Sequence, residues 1–106
     1  MWYQRMTIVK ESEKSIESYG CTQLKKLGIE SYKFTSPSRR SVPDRLCIGN
    51  NSLLFFVEYK ATGKKPTEAQ KREHKRLRDK GFNVYVIDSK KQVDELIELY
   101  EPKTSN

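Results

Sequence analysis

Residues 53–60, LLFFVEYK, constrain this chain more than any other stretch. A run that is apolar at every position from 53 to 57 has no solvent face to offer. It therefore reads as a strand buried on both sides, central in its sheet and covered on each face. The run then meets Glu58, a carboxylate that such a strand does not tolerate without compensation. Period-two alternation sends Glu58 and Lys60 to the same side as Leu54 and Phe56.

The neighbouring run DRLCI, residues 44–48, is joined to this strand through GNNS, a hairpin signal. A turn centred between Asn50 and Asn51 sets residue 44 opposite residue 57 and brings Asp44 close to Glu58. Two carboxylates from adjacent strands beside one lysine form a site for a hard cation such as Mg2+, which takes one or two carboxylates and keeps waters for substrate phosphates. Paired ionised acids repel, and a divalent ion relieves the repulsion. The plainer readings are an exposed E-x-K ion pair and an ordinary P-D turn. The hairpin relation between the two motifs favours the cation site.

Charge distribution names the partner. The chain has 106 residues and a formal net charge of +7, from 21 Lys+Arg against 14 Asp+Glu. Residues 33–45 hold four bases (Lys33, Arg39, Arg40, Arg45) to one acid; residues 60–80 hold nine, Lys64 and Lys65 among them, to three. These segments exceed the whole net charge, so the remainder is slightly acidic. Such clustering fits a polyanion, most simply nucleic acid; the competing reading is a basic surface that only confers solubility. No apolar run approaches the ~20 residues of a membrane span. The start, MWYQRMTIVKESEK, lacks a signal-peptide pattern, and Cys21 and Cys47 alone make no disulfide framework. The expectation is a cytoplasmic protein without a membrane partner.

Residues 11–27 read as a helix with Ile16, Tyr19, Gly20, Leu24 and Leu27 on one stripe, stopped by Gly28. Gly20 costs about 1 kcal/mol against Ala there, so a packing reason is expected. A strand at 30–35 leads into the polar loop SPSRRSVP. Thr67 and Gln70 form a T-x-x-Q capping box for a second helix running to Lys80. A strand at 83–88 and a helix at 90–100, with Val93, Leu96, Ile97 and Tyr100 on its stripe, complete the order α-β-β-β-α-β-α. The fold class is α/β, a small mixed β-sheet flanked by helices. One domain spans 11–101, with an extension at 1–10 and a tail at 102–106. The single histidine, His74, reads as an incidental residue on the surface of the second helix.

PSRRSVPDRLCI, FFVEYKATGKKPTEAQ and LRDKGFNVYVIDS, taken in order, resemble the VRR-NUC (virus-type replication-repair nuclease) domain of the PD-(D/E)xK superfamily. The resemblance runs from about Glu13 to Asp94. It implies a restriction-endonuclease-like fold and a Mg2+-dependent endonuclease, with Mn2+ as a substitute. Asp44 matches the acid of PD, Glu58 and Lys60 the acid and lysine of ExK, and the Tyr59 backbone carbonyl a further metal ligand. A first-helix ligand is expected at Glu13, with Glu17 as the alternative; the plain reading of either is a solvated helix carboxylate. Gln70 corresponds to a characteristic glutamine near the site, besides its capping role. Lys33 and the loop Ser38, Arg39, Arg40 would face the phosphate backbone. Standalone members resemble homodimers acting on branched DNA such as Holliday junctions, in a bacterial or virus-infected cell. Trp2, Tyr3, Ile8 and Val9 would then cover the domain or join the dimer contact.

Three departures stand out. Ser38 and Ser41 occupy positions where glycines are frequent, Gly20 one where a leucine is usual, and Tyr59 replaces a common leucine. None removes a ligand. The rival reading is a catalytically silent nucleic-acid-binding module, which would share the basic segments but need not keep Asp44, Glu58 and Lys60 together.

Overall fold

The computed structural model describes residues 9–103; residues 1–8 and 104–106 lie outside it, and with them the expected roles of Trp2, Tyr3 and Ile8 and most of the tail. Seven elements follow in the expected order: α1 (Glu13–Lys26), β1 (Glu30–Lys33), β2 (Arg45–Ile48), β3 (Leu54–Tyr59), α2 (Glu68–Asp79), β4 (Asn83–Ile87) and α3 (Lys90–Tyr100). The sheet order is β1-β2-β3-β4. The first three strands are antiparallel, and β4 lies parallel to β3 with α2 as the crossover such a pair requires. The expected helix 11–27 and strands 30–35, 44–48, 53–60 and 83–88 are each trimmed at the ends, where caps and loops take over.

The hairpin register corrects the sequence expectation by one residue. Arg45 pairs with Val57 and Ile48 with Leu54, so residue 44 continues opposite residue 58, not 57. The loop has an odd number of residues: Gly49 N–H bonds to Leu53 O at 2.9 Å, and Asn51 and Ser52 both adopt positive φ. An odd loop centres the turn on Asn51. The shift brings Asp44 directly across from Glu58.

β3 is an inner strand, as its doubly apolar pattern demands, and its two faces are covered unequally. Phe55, Val57 and Tyr59 point into a core with Ile16 and Leu24 of α1, Val93 and Leu96 of α3, Cys47 and Ile87. Phe56 and Glu58 point the other way, toward α2, whose only buried residues are the polar Glu73 and His74. At the far side of that face, alternation places Tyr32 and Ile48, which stay 49% and 39% exposed.

Gly20 has the packing reason its cost called for. A Cβ there would collide with the Tyr59 hydroxyl and lie 2.8 Å from Tyr59 Cζ. The two departures from the family pattern are thus complementary, because the bulk absent from α1 at Gly20 is supplied from β3 by Tyr59. The Tyr59 ring is fully buried and its hydroxyl has no hydrogen-bond partner. Ser41 also departs in a telling way, since its φ of 64° is a conformation that glycine adopts without strain.

Candidate active site

Antiparallel pairing sets the start of β2 beside the end of β3, and the chemistry collects there. Buried Pro43 fixes the backbone that delivers Asp44 to this corner. Asp44 Oδ2 accepts the Tyr59 backbone N–H at 2.8 Å, replacing the ladder bond that β2 would have made had it continued. The N–H and C=O of one strand residue point the same way, so the Tyr59 carbonyl is directed to the Asp44 side.

Glu58 is 2% exposed. Its Oε2 accepts from Gln70 Nε2 at 3.1 Å and lies 3.4 Å from Lys60 Nζ. Its Oε1 is buried without a partner, facing His74 Nε2 at 3.8 Å, which is equally unpartnered. Burial, then the neighbouring Asp44 charge, pushes the Glu58 carboxyl up to about 7 against the pull of Lys60; Glu13 adds to the rise. Burial also raises Asp44, opposed by the Tyr59 N–H. Neither acid is comfortable as an anion here, although both sit beside a lysine.

Gln70 closes the expected capping box and also lies against Glu58 and Lys60. Its Oε1 accepts the Thr67 N–H at 2.9 Å, closing the capping box, and also accepts from Lys60 Nζ at 2.8 Å. Its amide nitrogen holds Glu58. One side chain therefore ties the start of α2 to both the acid and the lysine of E-x-K.

The other expected residues are distributed more widely. Glu13 opens α1 and is exposed; its charge reaches Glu58. Glu17 is engaged by Arg45, with Nε to Oε2 at 2.7 Å, and Arg45 Nη1 also donates to Ser31 O. Arg45 and Glu17 thus occupy each other. Lys33 lines a groove with Lys14, Glu17 and Arg45. Ser38, Arg39 and Arg40 line a different groove, of about 410 Å³, against α2 residues Arg72, Glu73 and Arg76. There one buried oxygen, Glu73 Oε1, lies 3.4 Å from both Arg39 Nη1 and Arg76 Nε. Lys64 and Lys65 stand exposed on the loop between Lys60 and α2.

One sequence expectation changes, and three residues join the site region. His74 is not an incidental surface residue: it is 1% exposed and faces Glu58. Burial, reinforced by Arg78 and Lys60, lowers its pKa and favours a neutral imidazole. Arg72, Glu73 and Arg76 were legible only as members of a basic segment. The i,i+4 spacing of Gln70 and His74 was the available signal that both face Glu58.

Among the described residues, no three His, Cys, Asp or Glu side chains converge as a metal-binding group. The donor set is two carboxylates and a backbone carbonyl. It fits a cation that takes few protein ligands and keeps waters, as Mg2+ does; burial beside Asp44 raises the Glu58 carboxyl, and a divalent ion would relieve that repulsion. No helix of the described residues is long and apolar enough to cross a membrane.

No family model matches the sequence. The chain is 51% identical over 77 residues, 73% of its own length and 83% of the relative's, to "Putative nuclease p44" of Acyrthosiphon pisum secondary endosymbiont phage 1. A solved structure described as a VRR_NUC domain matches with a TM-score of 0.78 at 37% identity, covering 85% of this chain and 99% of that one.

Proposed function

The chain belongs to the VRR-NUC family, and on that premise we propose that it is a Mg2+-dependent endonuclease hydrolysing DNA phosphodiester bonds, selective for branched DNA such as Holliday junctions. One observation carries the reading. Asp44 and a buried Glu58 with its carboxyl raised to about 7 meet across two strands, with Lys60 held beside them by Gln70. A fold gains nothing in stability from that arrangement; a cation and a phosphate repay it.

Asp44, Glu58 and the Tyr59 carbonyl would hold the ion; of the two α1 acids, the charge of Glu13 reaches Glu58 and that of Glu17, engaged by Arg45, reaches Asp44. When bound, Mg2+ would polarise the scissile phosphate and lower the pKa of a water. Lys60 has three N–H donors, of which Gln70 takes one and Glu58 lies near a second. The remaining one can orient the attacking water or a phosphate oxygen. Gln70 keeps the ammonium in that place.

Arg39 and Arg40, with Arg72 and Arg76 across the groove, supply the bases for a phosphate strand; Lys33, Lys64 and Lys65 extend the positive surface. A symmetric junction suits a homodimer, which presents two sites to two strands. The infected bacterial cell is the setting of the phage relative.

The test compares wild type with Asp44→Asn and Lys60→Ala on junction, flap and linear DNA, with Mg2+, Mn2+ or EDTA. The expected result is cleavage only with metal, preference for the junction, and a loss of at least about a hundredfold in each variant. Undiminished cutting by both variants would remove this active site. Metal-independent binding without cutting by wild type would favour the silent binding module. Light scattering that gives a monomer at micromolar concentration would remove the paired-site arrangement.

A further inference from the structure

We infer that His74 is a positioning residue for Glu58, donating a hydrogen bond from Nε2 to Oε1 and so fixing, with Gln70, the orientation of the carboxylate. The inference rests on the nuclease reading for what Glu58 does, but on the geometry of α2 for what His74 does.

Glu58 Oε1 and His74 Nε2 are buried and unpartnered, 3.8 Å apart, in side chains 2% and 1% exposed. Each orphan left alone carries the desolvation cost of an unmet hydrogen bond. The two face each other, and a side-chain adjustment of under about 1 Å brings them to hydrogen-bond distance. Among the described residues neither atom has another partner.

α2 gives the pair its meaning. Gln70 and His74 lie one turn apart on the helix, and Gln70 Nε2 already donates to the other oxygen, Oε2, at 3.1 Å. Both oxygens of Glu58 are then held from one side. A carboxylate has about four acceptor sites, so those turned away from α2 remain for a cation on the Asp44 side. A buried apolar residue at 74 would pack against the sheet more cheaply; a buried imidazole aimed at a carboxylate is explained by holding it.

His74 is the only histidine in the chain, so its ring nitrogens can be read without assignment. A long-range proton–nitrogen NMR correlation on the metal-free protein, recorded well above the Glu58 value of about 7, should show the proton on Nε2. Glu58→Gln should move that signal. A bare Nε2, or one indifferent to Glu58→Gln, overturns the inference, and this measurement needs no variant at position 74.

His74→Leu keeps the bulk and removes the donor, whereas His74→Gln restores a donor at similar reach. Titration calorimetry with Mg2+ should show affinity about tenfold weaker for His74→Leu and partly recovered in His74→Gln, with kcat following and KM for DNA unchanged. A folded His74→Leu that binds Mg2+ and cuts as wild type does overturns the inference. Asp44→Asn as a parallel sample separates the two readings: if it too cuts normally, the nuclease site has failed independently of His74.

Discussion

Phe55 and Phe56 are neighbours in sequence and inhabit different environments. Phe55 is fully buried, stacks on Tyr100 at 4.6 Å and meets Tyr85 edge-on at 5.5 Å, in a core closed by α1 and α3. Phe56 faces Phe34 at 5.6 Å and Phe82 at 6.0 Å, and Phe82 is 40% exposed. Among the described residues, the three buried polar side chains, Glu58, Glu73 and His74, all belong to the Phe56 side. One face of the sheet holds the fold together, and the other spends burial on charged and orphaned groups. A small domain carries such a site because its opposite face is packed well enough to support it.

The largest expected effect lies on the packed face. Phe55→Ala should destabilise by about 5 kcal/mol and Phe56→Ala by about 3, because the partly exposed neighbours of Phe56 can collapse into the gap. Denaturant unfolding measures both, and equal losses would erase the asymmetry.

The second test is the pH dependence of the metal-free protein. The Glu58 carboxyl rises from 4.5 to about 7 on folding, so between those values the folded state binds more protons than the unfolded state. Stability contributed by this group is therefore lost as pH rises from about 4.5 to about 7, by up to about 3 kcal/mol. Glu58→Gln should match wild type in acid and exceed it above pH 7 while losing cleavage. Mg2+ should stabilise wild type above pH 7 and leave the variant unchanged. A pH-independent difference between the two proteins would deny Glu58 its buried charge.

The third test crosses the packed face. Gly20→Leu drives a side chain into the Tyr59 ring, and Tyr59→Leu leaves the notch beneath Gly20 empty. Each should destabilise, yet the double variant should recover about 2 kcal/mol relative to their sum. Simple additivity would mean that the two departures from the family pattern are unrelated.

These tests also mark how far the sequence was legible. The doubly apolar LLFFV and the two spaced motifs placed β3 at the centre and Asp44 beside Glu58, because strand periodicity and hairpin pairing are local rules. The register slipped by one because GNNS signals a turn without fixing its length: Asn51 is a residue that tolerates positive φ, but Ser52, which adopts it too, does not announce it. Gln70 could be placed twice over, through its cap and through the family resemblance. His74 had only its i,i+4 spacing from Gln70 to mark it: on a helix with no buried apolar residue, hydrophobic periodicity does not reveal which side faces the sheet. That side is polar because it meets the acids, and only the assembled sheet shows them.

The smallest effect is the sharpest probe of the packed face. The Tyr59 hydroxyl is the one orphaned buried polar atom among the described residues that does not belong to the Glu58–His74 pair. Burial drives its pKa well above the ordinary tyrosine value, so it stays a neutral group without a partner. Tyr59→Phe removes the unmet donor and keeps the ring against Gly20. It should raise stability by about 1 kcal/mol, read as a higher denaturant midpoint with an unchanged m-value. Cleavage should not change, since position 59 enters the site only through its backbone. A loss of stability would show that the oxygen is needed to fill the notch at Gly20, and that shape outweighs desolvation even on the face built for packing.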